Sequence, residues 1–444
     1  MTITASPPPP LTVHRAMPPA GMAGGLGAAP TGNLRLAGEH FAASLLFLLA
    51  GSLGLIWIAP DLADGRFLEP RVAGVTHLFT LGWLTTTIFG ALYQLLPVAL
   101  GAPVRWLRVG HVSFATFVPG VALFATGIAT SNVVLHHVGI ALIATGIILV
   151  LVNIGVSLAG AGRRDVTWAA VALALTFLAS TLVLGVVLLH NIHTGFLAEA
   201  RVRVLATHLH VALAGWVLIM IVGMAHRLLP MFLLAHGVGS RWTSWSVALL
   251  AAGVVALAAG LTLSSRGIAW IGAVLLEGGL AAFIVQARLY FRHRVRRRID
   301  VGMRFVATSL VFMALAGVAG AAVLALRPVP MRLAVAYLVL GLLGGIVLFV
   351  IGQFYKIVPF LAWITRFRAR VGKEKLPAVA DLYSARVALV QWGIMVVAVI
   401  ILVAGTLAGH PRCVRMGAGL FSIGTILLFS QIVRVARGPV PEVT

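Results

Sequence analysis

One feature recurs from near the start of the chain to its end: apolar runs long enough to cross a bilayer. They fall near 41–60, 75–100, 111–130, 133–158, 167–190, 204–233, 243–264, 268–290, 303–326, 332–362, 385–409 and 414–435. A spanning helix needs about 20 consecutive apolar residues. The pattern therefore predicts an all-α integral membrane protein with twelve transmembrane helices, whose three longest runs have length to spare for tilt. Composition agrees. Hydrophobic residues make up 60% of the 444 and charged residues only 10%, for a mean hydropathy of +1.05. A soluble domain of that balance would have to show large apolar patches to water; in lipid the objection disappears.

The formal net charge of +22 suits a nucleic-acid partner. Its Lys and Arg lie in short loops between apolar runs, however, where orientation in the membrane already accounts for them, so no nucleic acid is expected. The single cysteine, Cys413, excludes an intramolecular disulfide, a cysteine-held iron–sulfur cluster and a Cys-rich zinc site. Residues 1–38 are rich in Pro, Gly and Ala, with Pro7, Pro8, Pro9 and Pro10 in a row, and read as a disordered tail. No charged segment precedes an apolar core there, so no signal peptide is expected. The membrane domain is expected over 39–437.

Twelve spans place both termini on one side. If that side is the cytoplasm, the inner segments hold 24 of the 33 Lys and Arg, including clusters over 288–304 and 356–386. The positive-inside rule favours this orientation, with both termini cytoplasmic. Thirteen of the fourteen histidines then sort by depth. His77, His136, His137, His190, His193, His208, His210 and His410 lie at or beside the outer ends of spans, whereas His40, His111, His226, His236 and His293 lie near the inner face. Imidazole in lipid is costly unless it is paired or binds a metal, which marks the outer layer for function.

Spans 2, 6 and 10 carry a repeated frame. His77, Gly82, Trp83, Gly90 and Pro97 reappear 133 residues later as His210, Gly215, Trp216, Gly223 and Pro230. A further 129 residues on stand Gly344, Gly345, Gly352 and Pro359, with Val339 in the histidine's place. The shifts equal four spans, which predicts three pseudo-symmetric four-helix units over roughly 39–165, 166–300 and 301–437.

His208 and His210 are two apart on one helix and point to nearly opposite faces, so one helix can supply ligands to two sites. The alternative is a pair of interfacial histidines, one facing water. His136 and His137, adjacent at the start of span 4, can converge on one ion, and copper accepts imidazole readily; a wet helix end is the competing reading. His190 and His193 share a face. They read as interfacial, with a supporting or additional metal role left open. His226 lies beside Arg227 at the inner face, about 24 Å along the helix from His210, and reads as structural.

The run His208-Leu209-His210, then Gly215-Trp216, Gly223 and Leu228-Leu229-Pro230, resembles the tenth-helix signature of haem-copper oxidase catalytic subunits, closest to C-type oxidases and nitric oxide reductases. His77, Gly90, Tyr93 and Pro97 resemble that family's sixth helix, and His136-His137 its copper-binding pair. The resemblance implies twelve spans in three arcs and haem, b-type, held by His77, His208 and His210. It also implies copper held by His77, His136 and His137, a small gas ligand (oxygen or nitric oxide), an electron-donor cytochrome or other subunit, and a bacterial-type inner or plasma membrane. The motifs arrive one unit early, and Val339 leaves the third unit without a ligand. Either the low-spin haem is absent, or His77 is a haem ligand paired with His210. The family's redox tyrosine has no counterpart, Leu81 stands where nitric oxide reductases carry a glutamate, and Tyr337, aligned with His208, is the one tyrosine at the outer depth. Glu277, mid-span in span 8, is the candidate proton relay, and Thr85, Thr86, Thr87 and Gln94 either extend a polar path or bond their own backbone. Terminal reductase, gas sensor and haem or copper handling protein are the readings within this resemblance. A twelve-span secondary transporter is the reading outside it.

Overall fold

The computed structural model describes residues 31–295, 298–374 and 376–437. The sequence-expected tail lies outside them up to residue 30, and helix is already present from Thr31. Among the described residues there are twelve helices long and apolar enough to span a membrane and no strands. They are α1 (Thr31–Trp57), α2 (Pro70–Leu100), α3 (Leu107–Ala129), α4 (Val133–Ala159), α5 (Val166–Thr194), α6 (Ala198–Leu233), α7 (Arg241–Thr262), α8 (Arg266–Arg292), α9 (Val301–Ala325), α10 (Met331–Arg370), α11 (Ala385–Ala408) and α12 (Pro411–Arg437). Each apolar run of the sequence corresponds to one of them. Large apolar side chains such as Val134, Val183, Leu263, Val274 and Val318 are exposed on their outward faces, as a lipid-facing surface requires.

The packing repeats every four helices. α1 packs on α2, α5 on α6 and α9 on α10, while α3–α4, α7–α8 and α11–α12 are tight hairpins. α4 meets α5, α8 meets α9, and α12 returns to α1, which closes a ring around α2, α6 and α10. Glycine spacing shows why the hairpins are tight. Gly127, Gly139 and Gly146 in the first recur as Gly260, Gly272 and Gly279, then as Gly405, Gly417 and Gly424, with identical intervals. A Cβ at Gly272 would stand 2.2 Å from the Leu257 nitrogen and one at Gly139 would stand 2.4 Å from that of Phe124. Such close approach of backbones is what small residues permit in a membrane, where no hydrophobic force drives helices together.

Replacing Gly272 by Ala should therefore force the hairpin apart and destabilise the protein by about 1–3 kcal/mol or more. Gly267, on the same helix with open space around its Cβ position, is the control. A lower melting temperature in detergent for Gly272→Ala, and none for Gly267→Ala, is the expected outcome.

Each central helix contains a π-helical stretch at the same place in the repeat: Leu78–Thr85, Val211–Leu218 and Val339–Val347. The first two are 133 residues apart at both ends. A widened turn leaves carbonyls without their usual amide partners. In α2 the hydroxyls of Thr85 and Thr86 donate to the carbonyls of Thr80 and Leu81, five residues back. Both hydroxyls thus bond their own backbone, while the Thr87 hydroxyl and Gln94 Oε1 are buried without hydrogen-bond partners among the described residues. A phenylalanine of the preceding helix fills the notch at one glycine of each π segment: Phe47 at Gly82, Phe177 at Gly215 and Phe312 at Gly344. Trp216 Nε1 donates to Thr85 Oγ1 at 3.1 Å and ties α6 to α2 at the centre.

Two of the three repeated prolines mark helix ends. Pro97 and Pro230 each lie in the last turn, and Gly101 (φ 62°) and Leu234 (φ 53°) follow in the left-handed conformation, their N–H bonded back to the proline carbonyl. Pro359 instead sits inside a helix that continues to Phe367.

Candidate functional site

The histidine-bearing ends of α2, α4, α5 and α6 lie on one side of the bundle, and a cavity of about 230 Å³ opens there between α1, α2, α3, α5, α6 and α10. Its wall is almost entirely apolar, with Leu55, Val72, Phe79, Leu189, Leu213 and Leu342 among its residues. Two imidazoles interrupt that wall, His77 from α2 and His208 from α6, close enough for their charges to interact.

The tautomer of His77 is fixed by its surroundings. Its Nδ1 lies 2.8 Å from the Ala73 carbonyl, which can only accept, so Nδ1 carries the proton. Nε2 is left with its lone pair and no hydrogen bond among the described residues. Phe124 packs edge-on against the ring, with centroids 5.1 Å apart, and limits its rotation. His208 lies against Gly185 of α5: a Cβ there would reach its Cε1 at 3.4 Å. Its Nδ1 is buried without a hydrogen-bond partner.

The cavity mouth has different chemistry. Arg201, at the start of the regular helix that carries His208, lines the cavity and makes no ion pair among the described residues. Beside it the segment joining α1 to α2 is pinned by Asp61, a fully buried carboxylate held by Arg66 at 3.0 Å and Arg71 at 2.5 Å. That segment supplies Leu62, Phe67 and Leu68 to the cavity rim. The site thus combines an apolar cavity, two imidazoles close to each other and a cation without an ion pair among the described residues.

His210 is placed elsewhere. Its Nδ1 donates to the Ala206 carbonyl at 2.7 Å, and its Nε2 accepts from the Tyr337 hydroxyl at 3.1 Å, across the α6–α10 contact. It does not line the cavity that holds His77 and His208. The two histidines of the pair thus have different surroundings: His208 lines the cavity together with His77, and His210 packs against Tyr337.

Copper ligation by His77, His136 and His137 together does not match the geometry. His136 and His137 cluster with His193 of α5, and His77 is outside that group. The physical reason is depth: His136 and His137 occupy the first turn of α4, while His77 lies two turns into α2 and faces Phe124. Glu277, the candidate proton relay, lies apart from the cavity. Its residue is exposed on the α8–α9 seam, with the carboxylate in the notch left by Gly317 and in electrostatic range of Tyr337. His226 bonds the Tyr290 hydroxyl at 2.6 Å and lies 3.2 Å from Thr243 Oγ1 at the opposite end of the bundle, a local structural link.

No protein-family model matches the chain, and no curated protein matches it at a significant level.

Proposed function

We propose that this is a haem-binding membrane protein built on the plan of the haem-copper oxidases, with a b-type haem in the cavity between His77 and His208. The observation that carries the reading is the pairing itself: two histidines from different helices line one apolar cavity, close enough for their charges to interact, and His77 keeps a free Nε2 lone pair. A flat apolar macrocycle with acidic edges fits an apolar slot whose mouth carries the unpaired Arg201. With Cys413 as the single cysteine, the haem is held without thioether links.

In this arrangement His77 and His208 would hold the haem, Arg201 would pair with its acidic edge, and Leu55, Phe79 and Leu213 would exclude water. Haem bound this way supplies a reversible one-electron centre. With both histidines engaged by the haem, the reading favoured here is electron transfer or sensing of redox state, with a cytochrome or another subunit as electron partner, over gas reduction. Orientation follows the distribution of Lys and Arg, with both termini in the cytoplasm and the histidine-rich end outside. The repeated π segments, glycine intervals and ring packing support three equivalent four-helix units over about 39–165, 166–300 and 301–437.

The test is an optical spectrum of detergent-purified protein, oxidised and dithionite-reduced, with haem quantified on the same sample. About one haem per chain, sharp reduced α and β bands and no shift under carbon monoxide are expected. A carbon monoxide shift would mean one axial position is open and restore the gas reductase or gas sensor reading. A featureless spectrum after expression with ample haem would end the haem reading.

A further inference from the structure

We propose that His136, His137 and His193 form a surface metal site for a divalent ion of the copper and zinc class, separate from the haem cavity. The nitrogens that can ligate lie within 4.8 Å of one another, and the rings are mutually close, with centroids 4.7, 5.1 and 4.9 Å apart. His136 Nε2 and His193 Nε2 are 3.0 Å apart. Two imidazole nitrogens bound tetrahedrally to zinc at about 2.0–2.1 Å stand about 3.3 Å from each other, so a small ring rotation admits the ion.

Local structure prepares the donors. The proton of His137 is on Nδ1, which bonds the Val133 carbonyl at 2.8 Å, and its Nε2 lone pair is free. Asn132 caps the start of α4 by accepting from the Leu135 N–H. The hairpin seats His136 tightly: a Cβ at Gly127 would lie 2.4 Å from the His136 nitrogen. At the end of α5, Asn191 Oδ1 accepts from the Leu197 N–H at 2.7 Å and fixes the turn beyond His193. His136 is buried, with its Nδ1 unpartnered, while His137 and His193 are exposed and leave a fourth position for water.

The donor set decides the ligand class. Three neutral imidazoles with no carboxylate in the group suit copper(II) or zinc(II), and not magnesium or calcium, which require oxygen ligands. The ion would clamp the free ends of α4 and α5, where the first four-helix unit meets the second. Those two helices are joined at the other end by residues 160–165, so the metal closes the open end of the pair.

The experiment is titration of copper(II) and of zinc(II) into the full chain, purified in detergent through a tag without histidine, followed by calorimetry and melting temperature. One equivalent should bind saturably and raise the melting temperature, as any ligand specific to the folded state must. His137→Gln and His193→Gln should each weaken binding by at least about 10–100-fold. His190→Gln, on the same helix with its ring against Phe196, should bind as the wild type does. Because His137 and His193 are exposed, these variants leave the core intact, and unchanged haem content in the same samples separates this site from the haem reading. Absence of saturable binding, or wild-type affinity in His193→Gln, overturns the proposal.

Discussion

His208→Ala and His77→Ala should each abolish the low-spin haem spectrum, whereas His210→Ala should keep it. The contrast comes from geometry and not from residue type, since all three are histidines at a similar depth. His77 lines the cavity, and its Nε2 keeps a lone pair because its proton is held on Nδ1 by the Ala73 carbonyl. The ring of His208 lies in the same cavity against Gly185. His210 Nε2 instead accepts from Tyr337, and its ring stacks on the tyrosine with planes 23° apart. Removing an axial ligand costs more than the 10–100-fold in affinity typical of losing a supporting partner, so haem content in the first two variants should fall to background. Tyr337→Phe, which removes the hydroxyl and leaves the ring, should retain the haem. Pyridine haemochrome content and the reduced spectrum of the four variants provide the measurement. Loss of haem in His210→Ala with retention in His208→Ala would reverse the assignment and restore His77 paired with His210.

Sequence and structure agree most closely where a single physical rule governs. Twelve apolar runs become twelve helices because a bilayer leaves a hydrophobic segment no other way to satisfy its backbone. The frame shared by His77 and His210 reappears as π segments that start just after each histidine. The π geometry itself is not legible, because it depends on central packing and on Thr85 and Thr86 reaching carbonyls five residues back. The glycine intervals of the three hairpins are a second repeat carried by the sequence, independent of the histidines. The role of His193 had a signal too. α4 and α5 are consecutive, so the start of one and the end of the other lie at the same side of the bundle, and His136, His137, His190 and His193 had to be near one another. Which of His190 and His193 joins the pair depends on the angular position of each ring, and that is set by packing. The partner of His77 was ambiguous for the same reason: spacing shows that His208 and His210 diverge, but not which of them faces α2.

Gly185→Leu should empty the cavity of haem while leaving the fold intact, and it is the variant that best separates a cofactor slot from a packing defect. Gly185 lies on α5 opposite His208, and among its neighbours only His208 Cε1, at 3.4 Å, would touch an added Cβ. The backbone there is helical, so a larger residue meets no conformational penalty. Replacement by Leu in a helix interior even gains propensity, up to about 1 kcal/mol. The new side chain would project into the apolar space that the haem reading reserves for the macrocycle, and in a cavity with nothing to hold it would add favourable contacts. The two explanations of the cavity thus predict opposite combinations. If the slot holds haem, Gly185→Leu loses the Soret band and retains or raises the melting temperature of the haem-free protein. If the slot is merely imperfect packing, the spectrum of the wild type has no band to lose and the melting temperature rises alone. His208→Ala cannot make this distinction, because it removes a ligand and enlarges the cavity together. Filling the space while keeping both imidazoles isolates shape from ligation, and the two variants together assign the haem to the slot as well as to its ligands.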